Sequence, residues 1–482
     1  MNYRTILIFV LTISLLFCQS LNAQEQLPPS ERFGVCTHIA RWERTLKIDY
    51  LQTLRDAGFV SFRDGQEWDN IEKGKGNYVY SDVTKRIFNP DRKHNLQPLH
   101  VLAYQSPSGL YENELDPEAF ANYAINTIAQ FKGSGKHFEL WNEPGNFFFH
   151  KQYGGTWNGK EKDNSDSPWV KKFAEFITLV AKRIKAKHPD VFLITGDNPA
   201  VNIRMLQHYP EMFENIDGIV VHPYPYSLPP EVTPWGGKNN KRDGVVVADE
   251  TSSFKSLIQT LRQNLDDIGR KDMQIWITEV GYTTAQIKKK QLWLGFTPYA
   301  QACYNTRLGI QAVSYGVERT YYYDMLDDGS NKHHQENNFG LIYRNGQPKP
   351  AWLALTRMCR LMYGDTRPAP MNIEVNSPSE RQYQIGVVWD DAKIQFINQP
   401  QTHSFIRPDA KRVVFVWKPG RIFADAQPDV ANITITDCPW QLIEAGQLVS
   451  GQKVKLNIKQ ENSTLAITDA PYTEDPLYLV FQ

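Results

Sequence analysis

The sequence predicts an α/β protein: a (β/α)8 TIM barrel followed by a C-terminal antiparallel β-sandwich. Three observations predict it. Eight short apolar runs alternate with helical patterns over about 330 residues, the count of a barrel built from eight strand–helix units. The glycine-rich first turn that an open, doubly wound sheet would carry is missing. Beyond about Gly364 helical periodicity stops, and short β runs separated by Pro, Gly, Asn and Asp take over. A chain of 482 residues exceeds one ordinary core, so two units fit.

The elements follow in order. Residues 1–23 hold Arg4, an apolar run from Ile6 to Phe17 and the small Ala23, the pattern of a cleaved secretory signal too short to span a bilayer. Phe17 precedes Cys18 where a lipid-anchoring signal wants a small residue, which argues against an anchor there. A secreted or periplasmic protein without a membrane span is expected. Residues 24–364 form the expected barrel. Its strands are Phe33–His38, Val60–Asp64, Leu99–Ala103, His137–Trp141, Val191–Thr195, Gly218–His222, Gln274–Thr278 and Arg319–Tyr323. Each run is continuous rather than alternating, as in parallel strands covered on both faces.

Helices lie between them. In DPEAFANYAINTIAQFKG, Asp116 is a natural N-cap, Pro117 suits the first turn, and Phe120, Tyr123, Ala124, Thr127, Ile128 and Phe131 share a face before Gly133. Pro168–Lys187 repeats the pattern with Trp169, Phe173, Phe176, Ile177, Val180 and Ile184. Residues 365–482 form the expected sandwich, with β runs at Tyr383–Trp389, Lys393–Ile397, Arg412–Trp417, Ile433–Thr436, Val454–Ile458 and Leu477–Phe481.

Composition excludes some functions. With 53 basic and 53 acidic residues the chain has no net charge, so a nucleic-acid partner is not indicated. Cys36, Cys303, Cys359 and Cys438 are scattered without metal-ligand spacing and read as buried thiols. His333 and His334, near Asp327 and Asp328, read as a solvated loop because adjacent histidines point apart. No metal or organic cofactor is expected.

In a barrel, residues at the carboxyl ends of the strands face one cleft. Those ends carry His38, Arg63 with Asp64, Tyr104, Asn142 with Glu143, Asp197 with Asn198, His222 with Tyr224, Glu279, and Tyr323 with Asp324. Glu143 ends the fourth strand and Glu279 the seventh, so the two carboxylates can meet over the mouth. Such a pair suits glycosidic bond cleavage, in which one group gives a proton to the leaving oxygen and the other stabilises or attacks the anomeric carbon. A separation of about 5–5.5 Å implies retention, and roughly 6.5–9.5 Å implies inversion.

WNEP at Trp141–Pro144 and ITEVGY at Ile277–Tyr282 resemble the fourth- and seventh-strand motifs of clan A glycoside hydrolases, retaining barrel enzymes. The resemblance covers the segment from Phe33 to Met362. HPYP at His222–Pro225 resembles the clan's sixth-strand motif, and NNFGLIYRNGQPKPAW, Asn337 to Trp352, is similar to members near families 39 and 5. The resemblance implies Glu143 as general acid/base, Glu279 as nucleophile, and Asn142 as a hydrogen-bonding partner of the sugar 2-hydroxyl. It further implies that Tyr224 steadies Glu279, that His222 lines the subsite and that Arg63 keeps Glu279 ionised. Glu143 is expected to be raised toward about 6 by desolvation and by ionised Glu279. The eighth strand departs from the clan pattern: Tyr323 or Tyr322 stands where many members place a Trp.

Long loops carry Phe147, Phe148, Phe149, Tyr153, Trp157, Trp235 and Trp293, flat rings suited to sugar faces. His38, Arg63, Asn142, His222, Tyr224, Tyr323, Trp235 and Trp293 are the expected substrate-binding residues. The expected function is a retaining β-glycosidase acting on plant or microbial oligo- or polysaccharides, with exo-action favoured because long loops tend to close the mouth. The alternatives are a non-hydrolytic carbohydrate-binding protein of the same fold, which would not need both glutamates, and a transglycosidase.

Overall fold

The computed structural model describes residues 27–44, 46–88, 94–287, 293–377, 385–387, 390–394, 399–422 and 429–482. The secretory signal expected over residues 1–23, with Cys18, lies outside the described residues.

Eight strands close into a barrel: β1 (Ser30–Cys36), β2 (Phe59–Glu67), β3 (Gln97–Ala103), β4 (His137–Leu140), β5 (Phe192–Asp197), β6 (Gly218–Val221), β7 (Gln274–Val280) and β8 (Val317–Tyr322). Every neighbouring pair is parallel, and β8 pairs back onto β1 through Phe33 opposite Thr320. All eight expected strands are present. Strand β2 runs on to Glu67, so Arg63 and Asp64 sit within it rather than at its end. The barrel interior is filled by Cys36, Leu99, Ile194, Val220, Trp276 and Tyr321. It is therefore a packed core below and a cleft only at the mouth.

The helices lie outside. Pro117–Phe131 starts where Asp116 accepts a hydrogen bond from the Ala119 amide, and it buries Phe120, Tyr123, Ile128 and Phe131. Pro168–Lys187 has the expected bounds and buries the expected face. Helix Pro350–Leu361 follows β8 and completes the eight units.

Beyond it stand two antiparallel sheets that form the C-terminal sandwich. Its strands are β9 (Arg367–Pro368), β10 (Asn372–Asn376), β11 (Ile385–Val387), β12 (Asp390–Ile394), β13 (Gln401–Ile406), β14 (Arg412–Trp417), β15 (Asp429–Thr436), β16 (Leu442–Gln447), β17 (Asn457–Glu461), β18 (Thr464–Tyr472) and β19 (Leu477–Phe481). One sheet has the order β9-β13-β14-β19-β16 and the other β10-β15-β18-β17, with β11 and β12 as a separate ribbon. Parts of the expected strands Tyr383–Trp389 and Lys393–Ile397 lie outside the described residues. The expected Val454–Ile458 strand begins instead at Asn457.

The first sheet shares a core with the barrel: Phe405, Phe415, Trp417 and Tyr478 join the barrel's outer cluster. A buried ion pair rivets this junction. Arg307, on helix Pro298–Ser314, holds Glu231 at 2.5 Å, and the Trp417 indole donates to the same carboxylate at 2.9 Å. Cys36, Cys303, Cys359 and Cys438 are buried free thiols. Among the described residues no helix is long and apolar enough to cross a membrane.

Candidate active site

The lip of β4 explains how Asn142 and Glu143 reach the mouth. Trp141 and Glu143 adopt left-handed backbone, with φ of 71° and 46°, at a cost on the order of 1–3 kcal/mol each for residues carrying a Cβ. Packing sustains it: Trp141 is buried against Phe120, Phe149 and Phe176, and its amide donates to the Leu102 carbonyl at 2.9 Å. Gly145 completes the turn, because a Cβ there would stand 2.4 Å from the Trp157 carbonyl oxygen. Its amide donates to Asp197 Oδ2 at 2.8 Å, tying the loop to the end of β5.

Opposite, β7 presents Glu279. Arg63 Nη1 donates to its Oε1 at 2.6 Å and the Tyr224 hydroxyl to its Oε2 at 3.1 Å. His222 Nδ1 donates to Glu143 Oε1 at 2.8 Å, and Asn146 Nδ2 donates to Oε2 at 2.9 Å. One carboxylate oxygen of Glu143, one of Glu279 and a ring nitrogen of His222 all lie within 4.8 Å of one another.

Below the pair lies a buried polar layer. Arg63 forks onto Glu139 through Nε (2.6 Å) and Nη2 (2.9 Å), and Nη2 also donates to Asn142 Oδ1 at 2.8 Å. Asn142 Nδ2 then donates to the Tyr104 hydroxyl at 2.9 Å, so its amide is held from both ends. Thr278 donates to Glu139 at 3.1 Å and bonds His222 Nε2 at 2.9 Å. Sequence reasoning missed Glu139 because it is inside β4, not at its end. Its signal was a carboxylate in an apolar run, a residue that is buried only when paired.

Protonation differs from expectation. Burial would raise Glu143, yet the hydrogen bond and charge of His222, with Asn146 and Arg63, hold it below its ordinary value. Burial would lower His222, yet Glu279 and Glu143 hold it above its ordinary value. The imidazole therefore holds its proton more firmly, and the carboxylate less firmly, than either would in water, and the expected rise of Glu143 toward about 6 is replaced by a fall. Asp197, fully buried and beside Glu143, is pushed up to about 7 by burial and by that charge.

The cleft is about 1110 Å³. His38, Arg63, Asn142, Glu143, Tyr224, Glu279, Trp293 and Tyr323 all line it. His222 lies just behind, reaching Glu143. Trp235 does not line it: it is buried, packing edge-on against Trp157 at 6.0 Å under the Arg242 guanidinium, and Trp157 is the ring that faces the cleft. Phe147 lines the cleft while Phe149 belongs to the core. Tyr323 stands edge-on to His38 and Phe339, whereas Tyr322 is buried against Gly309 of the helix layer. Of the two tyrosines, only Tyr323 can touch a sugar. His333 and His334 are exposed, with His333 bonded to the Gln286 carbonyl.

Glu336, from the short turn Gln335–Asn338 after β8, adds a further carboxylate to the cleft, which Asp64 and Glu67 also line. Burial, followed by Glu279, Glu143 and Asp328, pushes it up to about 7. No strand-end or motif signal marks it in the sequence.

Solved structures of similar architecture bear on this geometry. A family 39 glycoside hydrolase from Bacteroides cellulosilyticus WH2 superposes with a TM-score of 0.65 at 19% identity, over 95% of this chain and 81% of that one. The fold is that of the clan A glycoside hydrolases. A glucosidase from Croceicoccus marinus gives 0.56 at 11% identity, over 96% of this chain and 98% of that one. A family 51 α-L-arabinofuranosidase, AbfB from Bifidobacterium longum, gives 0.54 at 12%, over 96% and 97%. No protein-family model and no curated protein sequence matches the chain.

Proposed function

We propose that this chain is a retaining glycoside hydrolase that cleaves β-glycosidic bonds by double displacement. The observation that carries the reading is the approach of Glu143 and Glu279, an oxygen of each within 4.8 Å across the cleft. So close an approach supports retention, for which the carboxyl groups stand about 5–5.5 Å apart, over inversion at roughly 6.5–9.5 Å.

In the first step Glu279 attacks the anomeric carbon while Glu143 protonates the leaving oxygen, giving a glycosyl ester on Glu279. In the second, Glu143 takes a proton from water, and that water displaces Glu279. Arg63 and Tyr224 keep Glu279 ionised and aimed. The proton that Glu143 donates comes from His222 Nδ1 along their 2.8 Å hydrogen bond. Asn142, held by Arg63 and Tyr104, has one amide proton left for the sugar 2-hydroxyl. Tyr323, Trp293, Phe147 and Trp157 supply ring faces, and the walls they form favour action at a chain end. The leader over residues 1–23 fits an exported enzyme meeting saccharides outside the cytoplasm.

A panel of aryl glycosides tests the reading; it includes glucosides and α-L-arabinofuranosides, given what the similar structures are named for. Glu279→Gln should abolish turnover. Glu143→Ala should still release activated leaving groups and be rescued by azide. Wild-type activity of either variant on an unactivated glycoside removes that residue's role.

A further inference from the structure

Beside the cleft, where the ends of β1 and β8 adjoin, a second cluster is not used by the chemistry above. Asp324 follows β8 and is fully buried, and neither of its carboxylate oxygens has a hydrogen-bond partner among the described residues. Nearby cations are committed elsewhere. The three protons of Lys349 Nζ go to Asp327 (2.7 Å), Thr284 (3.0 Å) and the Asn338 carbonyl (3.2 Å). Arg41 and Arg344 bond Asp328 and its carbonyl. A buried carboxylate without a partner costs several kcal/mol.

The surroundings supply what a cation needs. A ring nitrogen of His38, an Asp324 oxygen and an Asp328 oxygen lie within 4.8 Å of one another. Two ligands of one ion with bonds of about 2.0–2.4 Å stand no further apart than about 4.8 Å, so the three can share an ion. Asp328 is already oriented, since its Oδ1 accepts from the Trp42 indole at 2.7 Å and its Oδ2 from Arg41 at 3.2 Å. Such outer contacts are usual around metal-binding carboxylates. The His38 ring is held edge-on by Trp42 and Tyr323.

We propose that His38, Asp324 and Asp328 bind one divalent transition-metal ion, Zn2+ foremost. An imidazole with two carboxylates suits Zn2+ or Mn2+, whereas Ca2+ and Mg2+ take oxygen ligands alone. The ion would clamp the loop after β1 to the loop after β8, fixing His38 and Tyr323 in the cleft wall. The assignment is independent of the glycosidase reading.

Calorimetric titration of the chelator-stripped chain with ZnCl2, and separately with MnCl2 and CaCl2, tests it. One Zn2+ per chain should bind saturably, with a rise in melting temperature, and CaCl2 should bind far more weakly. Asp324→Asn and His38→Gln should each weaken Zn2+ by more than the roughly 10–100-fold that loss of an outer contact costs. Replacing the exposed His333 and His334 by Ala should leave binding intact. His38→Gln carries the test if Asp324→Asn does not fold. Absence of saturable Zn2+ binding, Ca2+ preferred over Zn2+, loss of binding in the His333/His334 variant, or undiminished binding in the His38 variant overturns the proposal.

Discussion

Arg63→Met removes the guanidinium that joins Glu139 to Glu279. The Arg63, Glu139 and Glu279 side chains are 7%, 1% and 12% exposed, so water cannot take over the guanidinium's role. Leaving one such charge buried and unpaired costs about 3–5 kcal/mol, and the Glu139 side, with two short bonds to Arg63, carries most of it. The variant should therefore lose about 3–5 kcal/mol in urea denaturation, read from the shift in midpoint at unchanged slope. Adding Glu139→Gln neutralises the stranded carboxylate, so the double variant should recover about 1–3 kcal/mol of the loss, a coupling expected only of groups in contact. A single-variant loss below about 1 kcal/mol, or strict additivity in the cycle, refutes the view that this layer is an electrostatic unit.

Three further outcomes follow from the site. The stabilisation from raised His222 is complete below about 6.5 and is lost as pH rises through its folded value; that from lowered Glu143 is complete above about 4.3 and is lost as pH falls through its folded value. Melting temperature should thus peak between those limits, and the peak should flatten in His222→Asn; an unchanged profile contradicts the shared proton. The alkaline limb of kcat/KM should fall with an apparent pKa above about 6.5 and move to lower pH in the same variant, as expected once Glu143 loses its proton source. Glu336→Ala should raise KM on the preferred glycoside by roughly tenfold or more, the worth of a hydrogen bond to a charged group, and unchanged KM would show that Glu336 does not touch sugar.

The barrel was legible because each of its strands is buried on both faces and so reads as an unbroken apolar run. Much of the sandwich was not. Strand β13 reads Gln-Thr-His-Ser-Phe-Ile, β17 is exposed along its whole length, and β18 contains Asp469 and Pro471, residues that ordinarily mark turns. Such strands are fixed by partners that a linear reading does not see. The approach of Glu143 and Glu279 was legible from strand ends and motifs. Its support was less so: Glu139 lies a full residue pair below the lip, Glu336 comes from an irregular turn, and the lowering of Glu143 depends on a histidine 79 positions away. Trp235 misled because a large ring in a long loop packs inward as readily as outward, and only the position of Trp157 decides which one meets solvent.

The central claim is a covalent bond to Glu279, and intact mass spectrometry with an activated 2-fluoro-2-deoxy glycoside of the preferred sugar tests it most directly. The account predicts one fluoroglycosyl unit per chain, mapped by peptide sequencing to Glu279 and absent in Glu279→Gln. Rapid hydrolysis of the parent glycoside with no trapped adduct, or an adduct on Glu143 or Glu336, contradicts it.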